Sequence, residues 1–115
     1  MIKRLEVGPR MSQAVVHGNT VYLAGQVAED TSLDVAGQTR EVLAAIDALL
    51  AAAGSDKTRI LAATVYLADI ATFAQMNSAW DGWVAKGHTP ARATVEAKLA
   101  APEYKVEIVC IAALN

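Results

Sequence analysis

ARATVEAKL (residues 91–99) and YKVEIVCIA (residues 104–112) change character at every step, with Ala101-Pro102 between them. In the first, Arg92, Thr94, Glu96 and Lys98 share one side, and Ala91, Ala93, Val95, Ala97 and Leu99 share the other. In the second, Val106, Ile108, Cys110 and Ala112 share one side, and Lys105, Glu107, Val109 and Ile111 the other. A period of two is the signature of a strand with one face covered and one open. The chain therefore needs other elements to cover one face of a sheet.

Upstream residues supply them. Val35, Thr39, Val42, Leu43, Ile46, Leu49, Leu50 and Ala53 fall on one face of a helix, with Asp34 or Ser32 to cap its start and Gly54 to end it. A second helix is predicted over Ile70 to Lys86, capped by Asp69, with contacts from Phe73, Met76, Trp80, Trp83 and Val84; Gly87-His88-Thr89-Pro90 ends it. Further strands are predicted at Ile2 to Glu6, Gln13 to His17, Thr20 to Val27 and Ile60 to Ala68. Gly18-Asn19 reads as a two-residue hairpin turn. The order βββαβαββ gives an α+β fold: a six-stranded mixed sheet with two helices on one face, in one domain spanning residues 1–115.

Composition limits the function. The chain is 54% hydrophobic, 19% charged and carries a net charge of −2, which excludes a disordered chain. Its 24 alanines are about a fifth of the sequence. A domain of this size buries only roughly two-thirds of its unfolded surface. Part of the apolar surplus must then lie on the surface, where contiguous apolar area marks contact with another chain or a ligand. A homo-oligomer follows as the expectation. The scattered Lys and Arg residues make no basic footprint for nucleic acid, and no apolar run is long enough for a membrane span. Cys110 has no partner thiol, and Met1 to Arg10 contain no apolar signal segment, which together point to the cytoplasm.

Few residues carry chemistry. His17 and His88 are far apart and have no companion ligands, so no metal site is expected. Cys110 faces inward by alternation, and Trp80 and Trp83 suit packing. Two charged residues stand out. Arg92 opens a strand among small alanines, where a guanidinium can take a carboxylate in two-pronged fashion. Glu107 lies between Val106 and Ile108, and a carboxylate in apolar surroundings suits proton transfer near neutrality. A salt bridge between adjacent strands, or plain solvation at an edge, is the other reading of both.

Ala24-Gly25-Gln26, Thr64-Val65-Tyr66-Leu67, Asn77, Pro90-Ala91-Arg92-x-x-Val95-Glu96 and Val106-Glu107-Ile108 resemble, in order and spacing, the RidA (YjgF) family of reactive intermediate deaminases. The resemblance runs from about Gly8 to Ala112. It implies a chorismate-mutase-like fold and a homotrimer with clefts at the subunit seams. It further implies hydrolysis of 2-enamine or 2-imino acids, such as 2-aminoacrylate, to 2-keto acids and ammonia, with no cofactor. By position, Arg92 corresponds to the arginine that binds the substrate carboxylate and Glu107 to the glutamate that activates water. Gly25 and Thr94 correspond to residues whose backbone touches the ligand. Met11 stands where the family has a tyrosine, Ala24 where it has a serine, and Thr94 where it often has a cysteine. The two lost hydroxyls leave room for a trimer that binds keto acids without turnover, or for a hydrolase of carbamate or acylated intermediates. Arg10, beside Met11, is a candidate second cation.

Overall fold

A computed structural model describes residues 1–114. The chain runs β1 (Ile2–Val7), β2 (Ser12–His17), β3 (Thr20–Leu23), α1 (Val35–Ala53), β4 (Ile60–Leu67), α2 (Phe73–Asp81), β5 (Ala91–Glu96) and β6 (Val106–Ala113). Six strands form one sheet in the order β1-β2-β3-β6-β4-β5. Only β4 and β5 are parallel, joined by the crossover through α2; the other pairs are antiparallel. The mixed α+β architecture is the one the alternation called for.

Helix α1 forms where its apolar spacing placed it. The Asp34 side chain accepts from the Gly37 N–H at 2.8 Å, satisfying one of the donors that a helix start leaves unpaired. At the other end Gly54 takes φ 87°, the left-handed conformation that closes a helix, and its N–H donates to Ala51 O. Val42, Leu43, Ile46 and Leu50 are fully or almost fully buried against Val21, Val65, Ile108 and Cys110 of the sheet core. The β2–β3 hairpin turns on Gly18 with φ 61°, the positive φ that two-residue primed turns require there.

Three elements are shorter than their sequence patterns. Helix α2 spans nine residues; Asp69 caps a separate 3₁₀ turn at Ile70–Thr72, and Gly82 stops α2 well before Lys86. Strand β5 ends at Glu96: Ala97 N–H still donates to Leu67 O, the last bond of the parallel ladder with β4, and the chain then leaves the sheet. Strand β3 ends at Leu23, and pairing resumes only at an isolated bridge between Gln26 and Ile108.

The helices cover one face only. Along β6, Val106, Ile108, Cys110 and Ala112 are buried beneath them, while Glu107, Val109 and Ile111 alternate onto the open face. Val15, Tyr22 and Tyr66 share that open face through the cross-strand register. The covered side of β5 is the polar one. Arg92 and Thr94 lie opposite the core residues Ala63 and Val65, while Ala91, Ala93 and Val95 face outward, with Val95 43% exposed. No helix among the described residues is long and apolar enough to cross a membrane.

Burial pushes the Cys110 thiol up to about 12 from its ordinary 9.0. The unfolded thiol ionises as pH passes about 9, while the folded one stays protonated until about 12, so its contribution to stability is present below pH 9 and lost across that window. Denaturant unfolding at pH 7 and pH 10.5 should show wild type losing more stability than Cys110→Ala. A thiol reagent should label Cys110 only when the chain unfolds.

Candidate active site

Glu107 is placed by the pleat of β6 and by an irregularity in its neighbour. Tyr22 of β3 pairs with Ile111, and Gln26 pairs with Ile108, so four steps on one strand oppose three on the other. The surplus residue makes a bulge at Ala24-Gly25. Bulges re-aim side chains and bring backbone close to its neighbours. Both backbone bonds of the bridge form, Gln26 N–H to Ile108 O at 2.9 Å and Ile108 N–H to Gln26 O at 3.1 Å. Ala24 N–H is held by Gln13 O at 2.9 Å, and the Gln26 amide donates to Gln13 Oε1 at 3.0 Å.

The bulge brings Gly25 against the Glu107 carboxylate. A Cβ on Gly25 would lie 2.0 Å from Glu107 Oε2 and 2.9 Å from its carboxyl carbon. Only glycine leaves space for the acid there. Glu107 is half-buried, faces Tyr66 across the strand pair, and has no hydrogen-bond or ion-pair partner among the described residues. The salt bridge between strands that its charge allowed is not formed. Ala24 is half-buried in the same bulge. Met11, 49% exposed, closes the β1–β2 turn, where Gly8 N–H donates to Met11 O at 2.8 Å. It lines a groove of about 610 Å³ with Glu6, Gly8, Pro9, Arg10 and Gln13. Gln13, which holds the bulge, thus connects that groove to Ala24 and Gly25.

Arg92 is elsewhere. It sits on the outer strand β5 and turns its side chain to the helix-covered face. There its guanidinium carbon lies 4.9 Å from the Trp80 ring centre and 5.9 Å from that of Phe73. Its Nη1 approaches Met76 Sδ at 4.0 Å. No carboxylate pairs with it among the described residues. On the same face Thr94 Oγ1 is buried with no hydrogen-bond partner, an uncommon and costly condition for a hydroxyl. Within one chain, Arg92 and Glu107 are therefore two strands apart, offset by three residues along them, and on opposite faces of the sheet. Glu107, Gly25 and Ala24 come together, Arg92 and Thr94 come together, and the two groups do not meet.

The surroundings of Arg92 were not assigned to it from the sequence. Phe73, Met76 and Trp80 read there as packing contacts of the second helix, and their spacing of three and four does put them on one face. What the spacing lacked was the orientation of β5. Cys110 is buried as expected. No group of three or more His, Cys, Asp or Glu side chains among the described residues is placed to hold a metal ion.

A half-covered six-stranded sheet, with an acid seated over a glycine bulge and an arginine on its outer strand, defines a class of small α+β proteins. Comparison with known proteins narrows it. Residues 1–114 match the protein family described as Endoribonuclease L-PSP. A RutC family protein of Haemophilus influenzae is 52% identical over 96% of this chain and 97% of its own length. The RutC family protein YoaB of Escherichia coli K12 is 50% identical, covering 98% of both chains. The crystal structure of a YjgF family member from Neisseria meningitidis superposes with a TM-score of 0.98 at 47% identity, covering 100% of this chain and 96% of that one. The chain belongs to the RidA (YjgF) family.

Gly25→Ala tests the contact at the bulge. The side chain in the way is flexible, so the fold should survive with a loss of about 1–3 kcal/mol in denaturant unfolding. A crystal structure of the variant should show Glu107 rotated away; an unmoved carboxylate would overturn the account of the bulge.

Proposed function

We propose that this protein is a hydrolytic deaminase of 2-enamine and 2-imino acids, producing 2-keto acids and ammonia. The observation that carries the reading is the Glu107 carboxylate, unpaired and seated over Gly25 at a bulge where a larger residue would displace it. The uncompensated Arg92 supplies the second requirement, a fixed cation for a small anionic substrate.

The chemistry needs little more. Arg92 holds the substrate carboxylate. Glu107 takes a proton from water as its oxygen bonds to the carbon of the protonated imine, giving a neutral carbinolamine. The protonated Glu107 then returns that proton to nitrogen and takes the hydroxyl proton as the C=O bond forms and the C–N bond breaks, so that ammonia leaves and carries the proton away as ammonium. An enamine first takes a proton at its terminal carbon to become that protonated imine. The half-buried Met11–Ala24 end would wall the cleft with apolar groups, and the Thr94 hydroxyl still has a bond to offer.

Opposite faces of one sheet cannot serve one small molecule, so each cleft takes Arg92 from one copy and Glu107 from another. The apolar open face, with Val95, Tyr22 and Ile111, is suited to bury against further copies, in line with a homotrimer. The net charge of −2 favours a small anion held by one arginine over a nucleic-acid partner.

Imines generated in place by an amino-acid oxidase allow keto-acid release to be timed with and without the protein. Wild type should accelerate release, and Arg92→Ala and Glu107→Gln should each lower kcat/KM about 100-fold. Equal acceleration by Arg92→Ala would sink the proposal. Binding of 2-ketobutyrate without turnover would instead favour a metabolite-binding trimer, the reading that the missing hydroxyls at Met11 and Ala24 support.

Mixing the two inactive variants tests the sharing of the cleft. If each cleft draws on two copies, refolding them together in equal amounts should restore about a quarter of wild-type activity, because that fraction of seams pairs two intact residues. A site within one chain would restore none.

A further inference from the structure

The cation that the proposed reaction relies on is held without a counter-charge, and the way it is held has a consequence. An arginine buried beside a carboxylate is well fixed, but its charge is already spent on that partner. Arg92 instead rests on Trp80, with its guanidinium carbon 4.9 Å from the ring centre, between the Phe73 ring at 5.9 Å and Met76 Sδ at 4.0 Å from Nη1. Aromatic faces and a weakly accepting thioether orient a guanidinium while leaving most of its N–H donors and its full charge available.

Trp80 is itself fixed. It is only 5% exposed and packs on Trp83 with ring centres 5.4 Å apart and planes 58° to each other. Trp83 is anchored in turn: its Nε1 donates to Asp47 Oδ2 at 2.8 Å, Lys57 Nζ donates to its carbonyl oxygen at 2.7 Å, and the same ammonium lies 5.3 Å from its ring centre. The chain of contacts runs from α1 through Trp83 and Trp80 to the guanidinium. Phe73, a residue 41% exposed, closes the other side.

We propose that Trp80, assisted by Phe73, is a positioning residue for substrate carboxylates: it presets the Arg92 guanidinium by cation–π contact and leaves it uncompensated for an anion. The proposal rests on the reading of Arg92 as the carboxylate-binding group. It assigns to an uncharged residue a share in affinity, and none in the proton transfers.

The test follows KM and kcat for the imino acid, and calorimetric binding of 2-ketobutyrate, in Trp80→Leu, Trp80→Phe, Phe73→Leu and Arg92→Ala, each checked for folding by thermal melting. Trp80→Leu should raise KM and the Kd for 2-ketobutyrate about 3- to 30-fold with kcat within about twofold of wild type. Trp80→Phe, which keeps a ring face, should recover most of that loss, and Phe73→Leu should weaken binding about 2- to 5-fold. A general packing defect would not separate KM from kcat or be rescued by another ring. If Trp80→Leu does not fold, Phe73→Leu and Trp80→Phe decide by the same measurements. Wild-type binding in the folded Trp80 and Phe73 variants, with binding abolished in Arg92→Ala, would overturn the positioning role and leave the reading of Arg92 standing. Wild-type binding in Arg92→Ala would overturn both.

Discussion

Two helices on one side of a six-stranded sheet set the terms for everything else in this molecule. The central strand β6 must bury Val106, Ile108, Cys110 and Ala112 completely beneath α1 and its neighbours. Successive strand residues point to opposite faces, so the pleat then leaves Glu107, Val109 and Ile111 no choice of side. A slip of one residue would bury the carboxylate and expose the core. Burial of the apolar half of β6 is what holds Glu107 on the open face.

The same rule separates the charged residues. Arg92 lies in register with Ala63 and so belongs to the covered side, at the outer edge of the sheet, where α2 only partly encloses it. Its charge is met there by rings and sulfur. Glu107 is met by a glycine and by the backbone of the bulge. Neither is neutralised by the fold, which keeps two opposite charges from pairing with each other or with local partners. Isolated half-buried charges are costly, and the arrangement makes sense where a ligand supplies the missing counterparts.

The sequence was most legible where one physical pattern acted alone. The run from Val35 to Ala53 carries helix periodicity, a capping aspartate and a terminal glycine, and α1 has those bounds. The alternation in β6 foretold which residues are buried, Cys110 among them. It was less legible where tertiary contacts decide. Gln38 is fully buried because its amide bridges the carbonyl oxygens of Thr31, Leu33 and Glu103 and accepts from Lys105 N–H, a set of partners that no local pattern announces. The second helix was overextended because the apolar residues Trp83 and Val84 continue its spacing after Gly82 has ended it. In β5 the alternation was right but could not say which side the helices cover. The sequence singles out Arg92, Glu107, Gly25 and Ala24 as candidates but not their division between two faces, which depends on the orientation of β5 against α2.

The bulge at Ala24-Gly25 also bears on how such a chain can change by insertion and deletion. Removing one residue from a regular strand shifts the register of all that follows, and the sheet does not survive it. Here one strand carries a residue more than its partner, so losing one at this point would let Gln26 keep its pairing with Ile108 while the remaining residues close up into a regular ladder. The sheet would be mended, and Gly25 would no longer stand out of the ladder against Glu107. A single-codon deletion at the bulge would thus leave ordinary sheet behind, a change of length at this one point that the fold can absorb.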